Sequence, residues 1–236
     1  MGLILWVFNI GYLFQHIGTV LQVKHIMKKR DIEGVCVDTQ VLFLIGAFAR
    51  CIWITDTMLK DFPLTYLELI GAVVTLSFTL YLCLFKFNGI YSISEVLHNK
   101  LLPIYLRWYV ILAASIILSF FLFPGNEGQY FDVQMFVSLN IFVEAAGLIP
   151  QIYSVNSQKD SNMISKLYLM CLSLSRFFRL FFWFKMYMDD NSFGFLIIAD
   201  VLHLFMVSGF VFSFFKNLNT FSLPTESRHD TGKKIF

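Results

Sequence analysis

Charge is what this sequence has least of. Asp, Glu, Lys and Arg together make up 14% of its 236 residues, against roughly a quarter in a soluble domain, so a water-facing globular fold is excluded at the outset. The small net charge of +2 is carried by basic residues scattered between apolar blocks. No basic face forms, and no nucleic-acid partner is implied. Four cysteines, Cys36, Cys51, Cys83 and Cys171, show neither metal-ligand spacing nor a disulfide framework. The chain also lacks an HExxH pair, a Gly-rich phosphate loop and a nucleophile motif in recognisable context, so catalytic residues, metal and cofactor are all expected to be none. The apolar start MGLILWVFNIGYLF has no basic region before it and no small-residue cleavage site before Lys24. It is expected to be a retained first span, not a removed signal peptide.

What is present is apolar: 57% of residues, including 28 phenylalanines. A membrane crossing needs about 20 mainly apolar residues, and seven windows qualify: 3–23, 39–59, 63–85, 101–123, 131–153, 166–187 and 193–215. Backbone groups in lipid must be satisfied internally, so each window is expected to be a helix. Residues 1–216 then form one transmembrane domain and 217–236 a polar tail. Short connections with turn residues join the spans, as at 124–126 (Pro-Gly-Asn) and 189–191 (Asp-Asp-Asn). Lys24, Lys28, Lys29, Arg30, Lys86, Lys100, Lys159, Lys166, Lys216, Arg228, Lys233 and Lys234 fall on one side of this topology and Lys60 on the other. By the positive-inside bias the odd loops and C-terminus are cytosolic and the N-terminus lumenal or outside.

A faint repeat runs through the chain: Gln22, Asp31 and Arg50 recur as Gln151, Asp160 and Arg179 at one constant offset. This predicts an all-α membrane protein of two three-helix repeats, about 3–86 and 131–215, joined by the connector helix 101–123. Parallel repeats of this kind occur in the SWEET class of sugar transporters, with sites at the repeat interface.

Ionisable groups inside such spans cost roughly 2.5 to 3.5 kcal/mol each on insertion scales, so they mark partners, cavities or ligands. Arg50, Arg176 and Arg179 are the main cases. A guanidinium stays charged and holds a carboxylate by parallel hydrogen bonds, which points to an anionic ligand. The structural alternative pairs Arg50 with Asp56, and Arg176 or Arg179 with Glu144 or Asp200. Arg107 and Lys185, near span ends, are expected to snorkel. Glu68 and Asp200 are further carboxylates suited to a proton site or a counter-ion. Histidine is the side chain whose charge ordinarily changes near neutral pH, so His16 and His203 are candidates for a pH-sensing group, against a simple packing role. Pro150 cannot donate to its helix and frees carbonyls that Gln151 or a neighbour must satisfy, giving Pro150-Gln151 a hinge or packing role.

Three stretches, EGVCVDTQVLFLIGAFAR (33–50), SLNIFVEAAGLIPQIYSV (138–155) and KLYLMCLSLSRFF (166–178) with Trp183, resemble the KDEL receptors, also called ER lumen protein-retaining receptors. The resemblance implies a SWEET-like seven-helix receptor of ER and Golgi that binds the C-terminal tetrapeptide of escaped lumenal proteins. It assigns Arg50, Glu144, Arg176 and Trp183 to the ligand site, to which the residue pattern adds Arg179. Departures from the family pattern fall at Cys51, Ser175 and Gln134. The family's first-span histidine aligns with Gln15, with His16 one place on and turned by about 100° around the helix.

The sequence ends in KKIF, which puts Lys233 and Lys234 in the dilysine retrieval pattern read by coatomer. The leading expectation is therefore a KDEL-receptor-like receptor whose partners are a lumenal peptide C-terminus, coatomer and the lipid bilayer. Two rivals stand beside it: a PQ-loop or SWEET-type transporter of a small solute, and a structural subunit of a larger membrane assembly such as one in the mitochondrial inner membrane.

Overall fold

A computed structural model describes residues 2–30, 32, 34–56, 58–87, 102–122, 133–157, 163–189, 197–201 and 204–205. All regular structure among the described residues is helical: α1 (Gly2–Lys29), α2 (Val37–Trp53), α3 (Pro63–Tyr81), α4 (Trp108–Phe121), α5 (Gln134–Gly147), α6 (Ile149–Ser157) and α7 (Met163–Asp189). The first six predicted spans correspond to α1, α2, α3, α4, the pair α5–α6, and α7. Of the seventh, 193–215, the described parts 197–201 and 204–205 are helical. The rest of that window with His203, the turn 124–126, Asp31, Asp160 and the tail with Lys233 and Lys234 lie outside the described residues.

Four stretches are long and apolar enough to cross a bilayer: Ile4–Lys29, Pro63–Lys86, Gln134–Val155 and Lys166–Asp189, with Trp108–Phe121 a shorter apolar helix. Beside an apolar core, polar side chains are buried and large apolar ones exposed on the same helices. On α1 the buried side includes Asn9, Tyr12, Gln15, Thr19 and Gln22, while Leu13, Ile17 and Val20 face outward. On α7 Arg176 and Arg179 are buried and Phe177, Phe181 and Phe184 are exposed. That is the arrangement expected when the surrounding solvent is hydrocarbon and polar groups must find one another.

Packing places α1 between α3 and α7, α2 between α3 and α5, and α5 between α2 and α4. The α1–α7 seam is close because Gly11 has no side chain. A Cβ there would lie 2.8 Å from Arg179 Cγ and 2.9 Å from the Ser175 carbonyl oxygen. Small residues at such seams are what allows helices to approach in lipid.

Pro150 breaks the fifth span. Without an N–H, and with its ring against the carbonyl four residues back, it ends α5 at Gly147, and the chain restarts as α6 at Ile149. Gln151 then reaches across to the loop entering α2. Its Oε1 accepts from the Cys36 N–H at 2.8 Å and its Nε2 donates to the Gly34 carbonyl at 2.7 Å. Gly34 sits at φ 84, a left-handed turn that a residue without a Cβ adopts freely.

Arg107 departs from the expected snorkelling. It is buried, with Nη1 3.8 Å from Asp38 Oδ2, while Asp38 Oδ1 accepts the Trp108 N–H at 2.9 Å and so anchors the first turn of α4 on α2. The pull of that buried carboxylate outweighs the reach to water. Lys185 remains exposed and pairs with Asp189.

Two measurements check this packing. Gly11→Ala is expected to destabilise by about 1–3 kcal/mol through overpacking, read as a lowered unfolding midpoint in detergent, whereas outward-facing Leu13→Ala leaves it nearly unchanged. Cys36 lies in the loop between α1 and α2, where burial, reinforced by Asp38, pushes its thiol up to about 11. Its alkylation in the intact protein, followed by peptide mapping, should keep rising past about pH 9.5, whereas a free thiol levels off near its pKa of about 8.5. Gln151→Leu, which releases the loop, should speed it.

Candidate functional site

Helices α1, α2, α3, α5 and α7 each send polar side chains to the centre of the bundle. The arginines of α7 fall on adjacent faces because they are three apart, and both reach α5. Arg176 Nη2 donates to Glu144 Oε2 at 2.9 Å, and Arg179 Nη1 donates to the same oxygen at 2.5 Å. Arg176 also donates through Nη1 to Asp200 Oδ1 at 2.7 Å. On α2, Arg50 donates through Nη2 to Glu68 Oε2 of α3 at 2.6 Å. All three arginine side chains are at most 3% exposed.

Tyr12 of α1 sits at the middle of this array. The Arg50 Cζ lies 3.6 Å and the Arg179 Cζ 4.3 Å from its ring centroid, so two guanidiniums share one aromatic quadrupole, a contact that strengthens when desolvated. Its hydroxyl is held by Asn140 of α5. The Asn140 amide satisfies its surroundings with its oxygen accepting from Tyr12 at 3.2 Å and its nitrogen donating to Glu144 Oε1 at 3.0 Å and to the Gly46 carbonyl at 2.9 Å. Glu144 therefore accepts on both oxygens, and α2 comes close enough there that a Cβ on Gly46 would lie 3.0 Å from Glu144 Cγ.

A group of rings closes the end of the site where α2 finishes. Phe8 lies 4.9 Å from Tyr12, 4.6 Å from Phe182 and 6.2 Å from Trp53, and Trp53 lies 6.4 Å from Trp183. Toward the other end the polar core continues through Gln40, whose Nε2 donates to Gln22 Oε1 at 3.0 Å and to Tyr168 Oη at 3.1 Å.

Among the described residues, Arg50 Nε and Nη1, Arg179 Nε, the Trp53 indole nitrogen, Ser175 Oγ and Asp200 Oδ2 are buried without a hydrogen-bond partner. The named guanidiniums and carboxylates balance in charge, yet donors remain unspent. An arrangement of this kind suits the reception of one further oxyanion.

Of the sequence-derived site residues, Arg50, Glu144, Arg176, Arg179 and Trp183 come together here. Pro150 and Gln151 lie at the α1–α2 loop instead. His16 lies on the α1–α3 seam, its Nδ1 3.4 Å from Thr75 Oγ1 and its ring against Gly71. The pairing of Arg176 and Arg179 with Glu144, and of Arg176 with Asp200, follows the structural alternative in the sequence. The partner of Arg50 is Glu68, not the Asp56 that alternative offered. Tyr12, Asn140 and Trp53 join the site only in the folded structure. The available signal for Tyr12 is the polar stripe Tyr12, Gln15, Thr19, Gln22 at helical spacing along an apolar helix, which marks an inward face.

The family model described as ER lumen protein retaining receptor matches residues 31–186, a segment holding all five of the clustered site residues but neither Tyr12 nor Asp200. The chain is similar to the ER lumen protein-retaining receptor erd-2.2 of Caenorhabditis elegans, 23% identical over 215 residues, covering 87% of this chain and 91% of the relative. It is also similar to an ER lumen protein-retaining receptor of Caenorhabditis briggsae, 23% identical with 83% and 86% covered. A third such receptor, from Entamoeba histolytica, is 24% identical with 71% and 72% covered.

Glu144→Gln removes the negative charge that Arg176 and Arg179 share and leaves Arg179 without its carboxylate, which is expected to destabilise by about 3–5 kcal/mol. Adding Arg179→Met, of similar length and no charge, should recover much of that loss in thermal unfolding. Equal losses in the single and double variants would remove the ion pair as the cause.

Proposed function

The chain belongs to the ER lumen protein retaining receptor family, and from that premise we propose that it is a retrieval receptor of ER and Golgi membranes, taking the C-terminal carboxylate of a lumenal peptide onto Arg50 and Arg176. The relatives are named as receptors. The observation that carries the site assignment is Arg50. At 1% exposed it spends Nη2 on Glu68, and among the described residues its Nε and Nη1, like the Trp53 indole nitrogen one helical turn on, have no hydrogen-bond partner. A buried donor left unsatisfied costs about 1–3 kcal/mol, and a peptide carboxylate would relieve that cost.

In this reading the seven spans form two three-helix units, 3–86 and 131–215, around the connector 101–123, with the N-terminus lumenal. Arg176 shifts one of its two carboxylate contacts to the ligand, Glu144 and Arg179 hold it in place, and the rings of Phe8, Trp53 and Trp183 part to admit the peptide. His16, against Thr75, is the pH-sensing group. Lys233 and Lys234 carry the cytosolic retrieval signal read by coatomer. A second reading, a family member acting as a structural subunit of a membrane assembly, is favoured by the internal charge balance of the cluster. In that case the arginines serve packing alone.

Peptide titration separates the two. Arg50→Lys keeps the charge but loses the spare nitrogens, and should weaken binding by about 1.5–3 kcal/mol. Amidating the peptide's C-terminus should weaken binding to the wild type far more than to the variant, since both changes remove one interaction. No binding at either about pH 5.5 or about pH 7.5 would leave the structural reading, and binding indifferent to amidation would move the carboxylate elsewhere. Replacing Lys233 and Lys234 by serine should shift a tagged chain outward along the secretory route, and an unchanged distribution would remove the dilysine assignment.

A further inference from the structure

Far from the arginine cluster, the C-terminal ends of α1 and α3 enclose a cleft of about 390 Å³ lined by Met27, Arg30, Lys86 and Phe87. We propose that this cleft is a binding site for the phosphate-bearing headgroup of an anionic phospholipid, seated between Arg30 and Lys86 on the apolar floor of Met27 and Phe87.

Two departures from regular backbone build the cleft. Arg30 follows the last turn of α1 at φ 55, its N–H bonded to the Ile26 carbonyl at 2.8 Å. Glycine is the residue to expect at a left-handed helix end, so the arginine accepts backbone strain and gains a guanidinium at that point. After α3 the chain widens into a π turn, Leu82–Lys86, closed by Phe87 N–H to the Leu82 carbonyl at 2.9 Å. Single π turns often sit at functional positions because they redirect side chains. Here the turn presents Lys86 to the cleft, its Nζ 5.4 Å from the Phe87 ring centroid. Among the described residues, neither Arg30 nor Lys86 has a carboxylate partner. Lys24, Lys28 and Lys29 lie exposed on the last turns of α1 and add to the positive field there.

The surroundings select a lipid over a soluble phosphate. Below the cleft, α3 and its π turn carry a ladder of exposed rings, Phe78, Tyr81 and Phe85, stacked at 6.3 and 5.9 Å. Tyr81 is of the type enriched at the headgroup level of a bilayer, and the phenylalanines beside it offer an apolar surface to acyl chains. A headgroup in the cleft would place its acyl chains against that ladder, while the basic residues meet the phosphate at the membrane surface. Positive-inside bias accounts for lysines at this end, but not for two cations from separate elements converging on an apolar floor.

The purified full chain in detergent is titrated with dioctanoyl phosphatidic acid, dioctanoyl phosphatidylcholine and glycerol phosphate, with thermal unfolding followed by tryptophan fluorescence. Phosphatidic acid should raise the midpoint saturably and phosphatidylcholine should not. Arg30→Gly, which the backbone conformation favours, and Lys86→Gln should each raise the half-saturating concentration about fivefold or more. Lys28→Gln, the same charge change outside the cleft lining, should stay within about twofold. No saturable shift, or an equal loss in Lys28→Gln, would overturn the site in favour of a diffuse surface field. An equal response to glycerol phosphate would overturn the lipid assignment.

Discussion

A guanidinium withdrawn from water must be met by oxygen, and the bundle is arranged around meeting three of them. Arg176 and Arg179 converge on one oxygen of Glu144, which ties α7 to α5. Arg50 on Glu68 ties α2 to α3. Tyr12 then joins the two pairs from α1 by offering its ring to Arg50 and Arg179. Association in lipid has little hydrophobic drive, since lipid tails are as apolar as leucine. These polar contacts, with the close seam at Gly11, are therefore what selects one packing of the helices from many.

The same constraint explains why the site and the scaffold cannot be separated cleanly. Charge-paired side chains hold the helices, yet donors on Arg50 and Trp53 are left unspent in the same few ångströms. The guanidiniums and carboxylates balance in charge, and among the described residues the spare N–H groups stay buried beside them. The rings of Phe8, Trp53, Phe182 and Trp183 pack together at that end of the cluster, each at most 3% exposed.

Gln151 shows how a short motif acts through distance. Pro150 interrupts the α5–α6 span, and the amide that follows takes both backbone groups offered by the α1–α2 turn at Gly34 and Cys36. Its counterpart by sequence offset, Gln22, instead meets Gln40 inside the bundle. The two glutamines thus hold different parts of the polar core, although their positions in the sequence correspond.

Hydropathy is a local property, and a stretch of apolar residues in lipid has to satisfy its backbone within itself. For that reason the helical character and the places of the first six helical segments were legible in the sequence, while the family and the five clustered residues were legible in its motifs and in charges placed inside apolar runs. The boundaries at Pro150 and before Trp108 were less so, because a proline break and a side-chain cap from Asp38 depend on neighbours. Which carboxylate meets which arginine was decided only by tertiary structure. Arg50 takes Glu68 of α3, Arg176 reaches both Glu144 and Asp200, and Tyr12 lies between charges that nothing in its own segment announces. Pairing energy depends on distances of a few ångströms between side chains far apart in the chain, and only the crossing of the helices sets those distances.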